Sequence, residues 1–183
     1  MRFADRHVAV FVTGISASGK STVAELLAKR FARGVHVRGD SFRRMVVTGR
    51  AEMTSNPSSE AWQQLRLRYS LGASTADAYF SAGFSVVLQD IAVGEVLSDY
   101  VEMITSRPLC VVVLAPSPEV VAAREAARSK IAYRSGFDDI DALDRALRHQ
   151  TPRLGLWIDT SHQAPEETVD EIVARAWDDA RVP

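Results

Sequence analysis

Gly14-Ile15-Ser16-Ala17-Ser18-Gly19-Lys20-Ser21, followed by Thr22, fits the pattern G-x-x-x-x-G-K-[ST]. Glycine at both ends of the loop allows backbone angles that other residues avoid, so successive N–H groups can point inward. Such a nest of N–H groups binds phosphate oxygens. Lys20 is placed to reach the terminal phosphates, and the Ser21 hydroxyl to meet Mg²⁺. The flanks agree with this reading. Val8 to Thr13 is a continuous apolar run, as a buried parallel strand requires. From Ser21 to Phe31, apolar residues at 23, 26, 27 and 31 recur at helical spacing. A helix starting there aims the positive end of its dipole at the phosphates. Gly14, Ser16, Ala17, Ser18, Gly19, Lys20, Ser21 and Thr22 are therefore the expected binding set for ATP with Mg²⁺.

The remainder of the chain alternates strand and helix. Val35–Arg38, Ser85–Asp90, Leu109–Leu114 and Leu156–Asp159 read as further strands. Helices are expected over Ser41–Thr48, Glu60 to about Ala82 with Ser58 or Ser59 as cap, Glu95–Thr105, Glu119–Arg128, Asp138–Gln150 and Pro165–Ala180. Five such strands separated by helices imply a three-layer α/β fold: a five-stranded parallel sheet with helices on both faces. Ligands then gather at the carboxyl ends of the strands. One domain is expected over residues 1–183, with acceptor-binding helices at about 41–82 and a small lid at about 124–137.

Composition sets limits on partners. The 183 residues are 46% hydrophobic and 25% charged, with a net charge of -1. That charge gives no general attraction to nucleic acid or to an anionic membrane. The chain is nevertheless basic up to residue 50 and acidic from 138 onward. The single cysteine, Cys110, excludes a disulfide within the chain and suits a cytoplasmic location. The expected partner is a small-molecule hydroxyl acceptor, with neither nucleic acid nor membrane, and the protein is expected as a monomer or homodimer. The four histidines have no metal-ligand spacing.

Several side chains fall at the carboxyl edge of the expected sheet. Asp40 ends the second strand, where a carboxylate can deprotonate an acceptor hydroxyl or cap the following helix. Asp90 ends the third apolar run, the place of a metal-holding Walker B aspartate. Arg43, Arg44 and Arg66, with Tyr69 beside them, form the candidate acceptor pocket. Arg68 is a further basic group on the same helix. Arg124 and Arg128 share a helix face and are the candidate cations closing over the transferring phosphoryl. Arg153 precedes the last strand and is a candidate nucleotide contact.

Gly14–Thr22, Asp40, Asp90 and the Arg124/Arg128 pair together resemble the nucleoside monophosphate kinase-like branch of P-loop proteins. Within it the chain resembles small antibiotic and metabolite kinases such as the chloramphenicol phosphotransferases, with gluconate and shikimate kinases more distant. It is also similar in element order and length to tunicamycin-resistance proteins. The resemblance implies the strand order 2-3-1-4-5, a lid, and a hydroxyl acceptor held between helices two and three. It also implies that Asp40 activates that hydroxyl. Only one aspartate follows the second strand, and Met45–Ser59 matches no acceptor motif. The expected activity is therefore phosphoryl transfer from ATP to a hydroxyl of an antibiotic, sugar or related metabolite. A nucleoside or nucleotide kinase is the near alternative, and an acceptor-independent ATPase or nucleotide switch the alternative from another class.

Overall fold

The computed structural model of the chain describes residues 2–54, 56–127 and 140–183. Strands β1 (Ala9–Gly14), β2 (Gly34–Arg38), β3 (Ser85–Gln89), β4 (Leu109–Leu114) and β5 (Leu156–Ile158) form a parallel sheet in the order β2-β3-β1-β4-β5. β1, β3 and β4 are buried at every position. Their unbroken apolar runs follow from cover on both faces.

Alternation along each strand sends neighbouring side chains to opposite faces. Val10, Val12, Cys110, Val112 and Leu114 face one core, closed by α1 (Lys20–Ala28) and α7 (Pro165–Asp179) through Val23, Leu27, Val169, Ile172 and Ala176. Phe11, Val86, Leu88, Val111 and Val113 face the other. That side is closed by α3 (Ser59–Ser81), α4 (Val96–Met103) and α6 (Ile140–His149) through Leu65, Tyr69, Leu97, Tyr100, Leu143 and Leu147. Two further helices, α2 (Gly39–Arg44) and α5 (Pro118–Ala127), follow β2 and β4. Ser58 caps α3 by accepting from the Ala61 N–H at 3.1 Å.

Differences from the sequence-based expectation lie at element ends. α2 begins at Gly39 and stops at Arg44, shorter than Ser41–Thr48. After α7 the chain adds β6 (Arg181–Val182), antiparallel to the start of β4, too short to leave a periodic pattern. Cys110 is buried in β4 and its thiol points at the Ala176 carbonyl at 3.4 Å. Burial pushes that thiol up to about 11, so it is unreactive near neutrality. The expected lid lies outside the described residues from 128 to 137. Among the described residues no helix is long and apolar enough to cross a membrane.

Gly155 shows how tightly β5 is seated. Its φ is +69°, and a Cβ there would lie 2.1 Å from the Val111 carbonyl oxygen of β4. Gly155→Ala is expected to destabilise the protein by about 1–3 kcal/mol from backbone strain alone, with the clash adding to it. Urea unfolding measures the loss; an unchanged midpoint would show that β5 can move away from β4.

Candidate active site

The loop between β1 and α1 is wound tightly. Gly14 has φ +146°, and a Cβ there would meet the Leu114 carbonyl oxygen at 2.5 Å. Gly19 takes φ +94° and Ala17 φ +58°. A non-glycine residue in that region is strained and persists because the surrounding loop holds it. Ser16, Ala17, Ser18 and Lys20 are all buried, whereas Ser21 and Thr22 are exposed at the start of α1. The Lys20 ammonium donates to the Ile15 carbonyl at 2.5 Å and to Ser18 Oγ at 3.5 Å. It is thus tied to its own loop.

Arg124, on α5, lies against this loop. It donates to the Ser18 carbonyl at 3.4 Å and to the Thr160 carbonyl at 2.9 Å, joining the loop to the segment after β5. That segment is itself braced, because Ser161 donates to Asp159 and accepts from the Ser117 N–H at 2.7 Å. Arg128 lies outside the described residues. Arg153, the candidate nucleotide contact, stacks its guanidinium 4.1 Å above the Trp157 ring.

Gln89, which the sequence analysis passed over, is the partner of Ser21: the Ser21 hydroxyl donates to Gln89 Oε1 at 3.1 Å. The signal was present as an amide closing an otherwise apolar strand. Behind Gln89 lies His36, whose Nδ1 is 3.0 Å from Glu25 Oε2. Burial holds His36 below its ordinary value, while contacts with His36, Arg38 and Lys29 bring the Glu25 carboxyl down to about 2.

Asp90, the expected metal-holding residue, is engaged within the protein. Its carboxylate is 0% exposed and forms a two-point ion pair with Arg68 of α3, one bond being Nε to Oδ2 at 3.0 Å. The Ile91 N–H donates to Oδ1 at 2.8 Å and the Tyr100 hydroxyl approaches Oδ2 at 3.4 Å. The two oxygens are thus met by donors from Arg68, Ile91 and Tyr100. Burial pushes the Asp90 carboxyl above its usual range, against the opposing attraction of Arg68. Gly39 packs on this carboxylate; a Cβ on Gly39 would lie 1.9 Å from Oδ2.

Asp40 follows Gly39 in the first turn of α2 and is part-exposed, with Arg44 donating to its Oδ2 at 2.7 Å. Arg43 is paired with Glu52 in the loop after α2. Arg66 is 71% exposed and lies 3.6 Å from Asp99, on the outside of α3. The four candidate pocket residues are therefore not brought together. Arg43 lines the smaller of two cavities beside α3 and Tyr69 the larger, the Tyr69 hydroxyl donating to the Ile91 carbonyl at 2.7 Å.

Two cavities adjoin α3, sharing Met53 and Leu65. One of about 200 Å³ lies between α2 and α3, where an acceptor was expected. The other, about 470 Å³, lies on the far side of α3 against Ile91, Val93 and the helix α6. Thr151 fixes that wall: its hydroxyl accepts from the Gly94 N–H at 2.6 Å and donates to the Ala146 carbonyl at 2.9 Å.

The parallel sheet, its strand order and the loop at the end of β1 define a P-loop α/β protein. A family model described as AAA domain matches residues 10–156, and the chain belongs to that family. No curated protein sequence matches the chain. Among solved structures, an unliganded sugar kinase from Janibacter sp. HTCC2649 is 20% identical, covering 91% of this chain and 92% of its own, with a TM-score of 0.67. The tunicamycin resistance protein of Deinococcus radiodurans is 12% identical over 97% of this chain and 99% of its own, with a TM-score of 0.61. The APS kinase of Mycobacterium tuberculosis, solved with AMPPNP and APS, is 18% identical over 93% and 97%, with a TM-score of 0.62. The fold is that shared by these structures.

Removing Arg68 would leave Asp90 buried without its counter-charge. Arg68→Met is expected to cost about 3–5 kcal/mol at neutral pH. Because burial raises the Asp90 pKa, the folded variant binds a proton more readily than the unfolded chain. Its deficit should then shrink as pH falls through that raised value. Urea titrations at neutral and mildly acid pH test both points; a loss below about 1 kcal/mol would show that the pair is not needed.

Proposed function

We propose that the chain is an ATP- and Mg²⁺-dependent phosphotransferase that moves the γ-phosphate to a hydroxyl of a small molecule, an antibiotic, sugar or related metabolite. The observation that carries this reading is the pairing of two features at one edge of the sheet. The strained loop of 14–21 offers a phosphate cradle, and α2 presents the part-exposed carboxylate of Asp40 beside the Gly39–Asp90 contact.

In this reading the loop N–H groups and Lys20 hold the β- and γ-phosphates, and a bound phosphate competes with the Ile15 carbonyl for the Lys20 ammonium. Asp40 accepts the proton of the acceptor hydroxyl as its oxygen bonds to the γ-phosphorus. The bond from that phosphorus to the bridging oxygen breaks, and ADP leaves with the electron pair. Arg124 keeps a guanidinium beside the loop as charge develops on the leaving phosphates. Its contact with Thr160 also ties the donor site to the segment after β5.

The residues fit Mg²⁺ through one protein ligand. Ser21 offers an exposed hydroxyl oxygen at the start of α1, oriented by Gln89. Among the described residues no group of three His, Cys, Asp or Glu could hold a metal, so the phosphates themselves would complete the coordination. The ion supplies charge neutralisation on the phosphates.

Turnover measured as ADP release with acceptors of several classes tests the proposal. Asp40→Asn is expected to lower acceptor-stimulated kcat by about 10²–10⁴-fold with ATP affinity retained. Lys20→Ala is expected to abolish ATP-dependent turnover. ADP release that ignores every acceptor and the loss of Asp40 would overturn the assignment in favour of an ATPase or switch.

A further inference from the structure

The cavity between α3, the segment after β3 and α6 has a chemistry of its own. Its volume, about 470 Å³, is that of a site for a drug-sized ligand. Ile91, in its wall, directly follows Asp90, on which Gly39 rests. Asp40 is the next residue along.

Its walls are carbon-rich. Trp62, Leu65, Ile91, Val93, Val96 and Leu143 are among the lining residues. Tyr69 adds an aromatic ring, its hydroxyl being already given to the Ile91 carbonyl. Trp62 is 41% exposed, so part of a large indole is uncovered. Among the described residues that line the cavity there is no lysine or arginine, and Glu95 is the one charged residue.

The nearby cations are directed elsewhere. Arg68 is locked on Asp90, Arg43 on Glu52, Arg44 on Asp40, and Arg66 faces Asp99 outside. Among the described residues the lining offers a phosphate, sulfate or carboxylate no counter-ion to replace the water it would lose, and that exchange is unfavourable. A polyhydroxylated sugar would face the same difficulty in milder form, since Thr54, Glu95 and Gln150 are the polar side chains in the lining.

We infer that this cavity takes an uncharged, mostly apolar small molecule that carries a hydroxyl, rather than a sugar acid, a sugar or a nucleotide. The inference rests on the phosphotransferase reading for the statement that this ligand is the acceptor. The chemistry of the cavity itself stands on the lining alone.

Calorimetry with four probes tests it: 2-naphthaleneethanol, glucose, gluconate and AMP, each added to the full chain with AMPPNP and Mg²⁺. Saturable binding of 2-naphthaleneethanol is expected, with no binding of gluconate or AMP to this cavity. Trp62→Ala and Ala146→Glu are expected to weaken 2-naphthaleneethanol binding by about tenfold or more. Retained AMPPNP binding reports that each variant is folded. Trp62 is part-exposed, so its replacement keeps the test open if Ala146→Glu does not fold.

Absence of saturable 2-naphthaleneethanol binding, or binding indifferent to Trp62→Ala, would overturn the inference. So would binding of gluconate or AMP that Trp62→Ala weakens. ADP release decides the underlying reading separately. Cavity binding with no acceptor-stimulated turnover from any probe upholds the ligand class and sinks the kinase. Turnover of gluconate or AMP alone upholds the kinase and sinks the ligand class.

Discussion

A carboxylate with no access to water needs an answering cation, and in this protein Asp90 is answered by Arg68. The pair joins the end of β3 to the middle of α3. An isolated buried charge would cost several kcal/mol, so the ladder of β3 and the face of α3 must be in register for the fold to close. Tyr100 comes in from α4 to the same carboxylate and stacks on Tyr69, ring centroids 4.1 Å apart. Gly72 lets α3 approach closely, since a Cβ there would lie 2.3 Å from the Tyr100 hydroxyl. Gly39 does the same for α2 against Asp90. Three helices are thereby set around one side chain, and with them the direction of Asp40.

The donor side is organised by backbone rather than by side chains. Strain at Ala17 and the two positive-φ glycines bend the chain so that N–H groups converge. Lys20, paired with its own loop, is pre-positioned for a phosphate. Ser21 is turned by Gln89, and Gln89 sits beside the His36–Glu25 pair on the same side of the sheet. The Ser21 hydroxyl is therefore oriented by a neutral amide, and the acid one residue further on is paired with Arg68.

This division explains what could be read in the sequence. The loop is legible because phosphate chemistry demands fixed residue types at fixed spacing, and β1, β3 and β4 because burial on both faces leaves continuous apolar runs. Helix α3, its Ser58 cap and α7 follow from periodicity and capping. Side-chain partners do not follow, because they depend on residues distant in the chain. Asp90 ends an apolar strand whether it holds a metal or Arg68. Only the crossing of α3 over the sheet decides between them, by bringing residue 68 to residue 90. Arg66, two positions earlier, is carried to the opposite side of the helix. β6 is invisible for a different reason: two residues carry no period.

The same crossing shapes the cavity beside α3. Trp62, Leu65 and Tyr69 lie at i, i+3 and i+7 on α3, one helical stripe. Arg68 lies beside that stripe, so the rotation of α3 that pairs Arg68 with Asp90 also turns the stripe toward the cavity. Were α3 rotated to offer an arginine to an anionic acceptor, Asp90 would be left buried and unpaired. The ion pair and an apolar cavity are thus consequences of one helix orientation. α6 completes the enclosure from the other side, tied down by Thr151 to the backbone of Gly94 and by Arg148 to the carbonyl of Pro116. A wall built by such distant pairings can change its chemistry while the phosphate loop and sheet stay fixed. That is how one fold keeps a common donor site and varies what it acts upon.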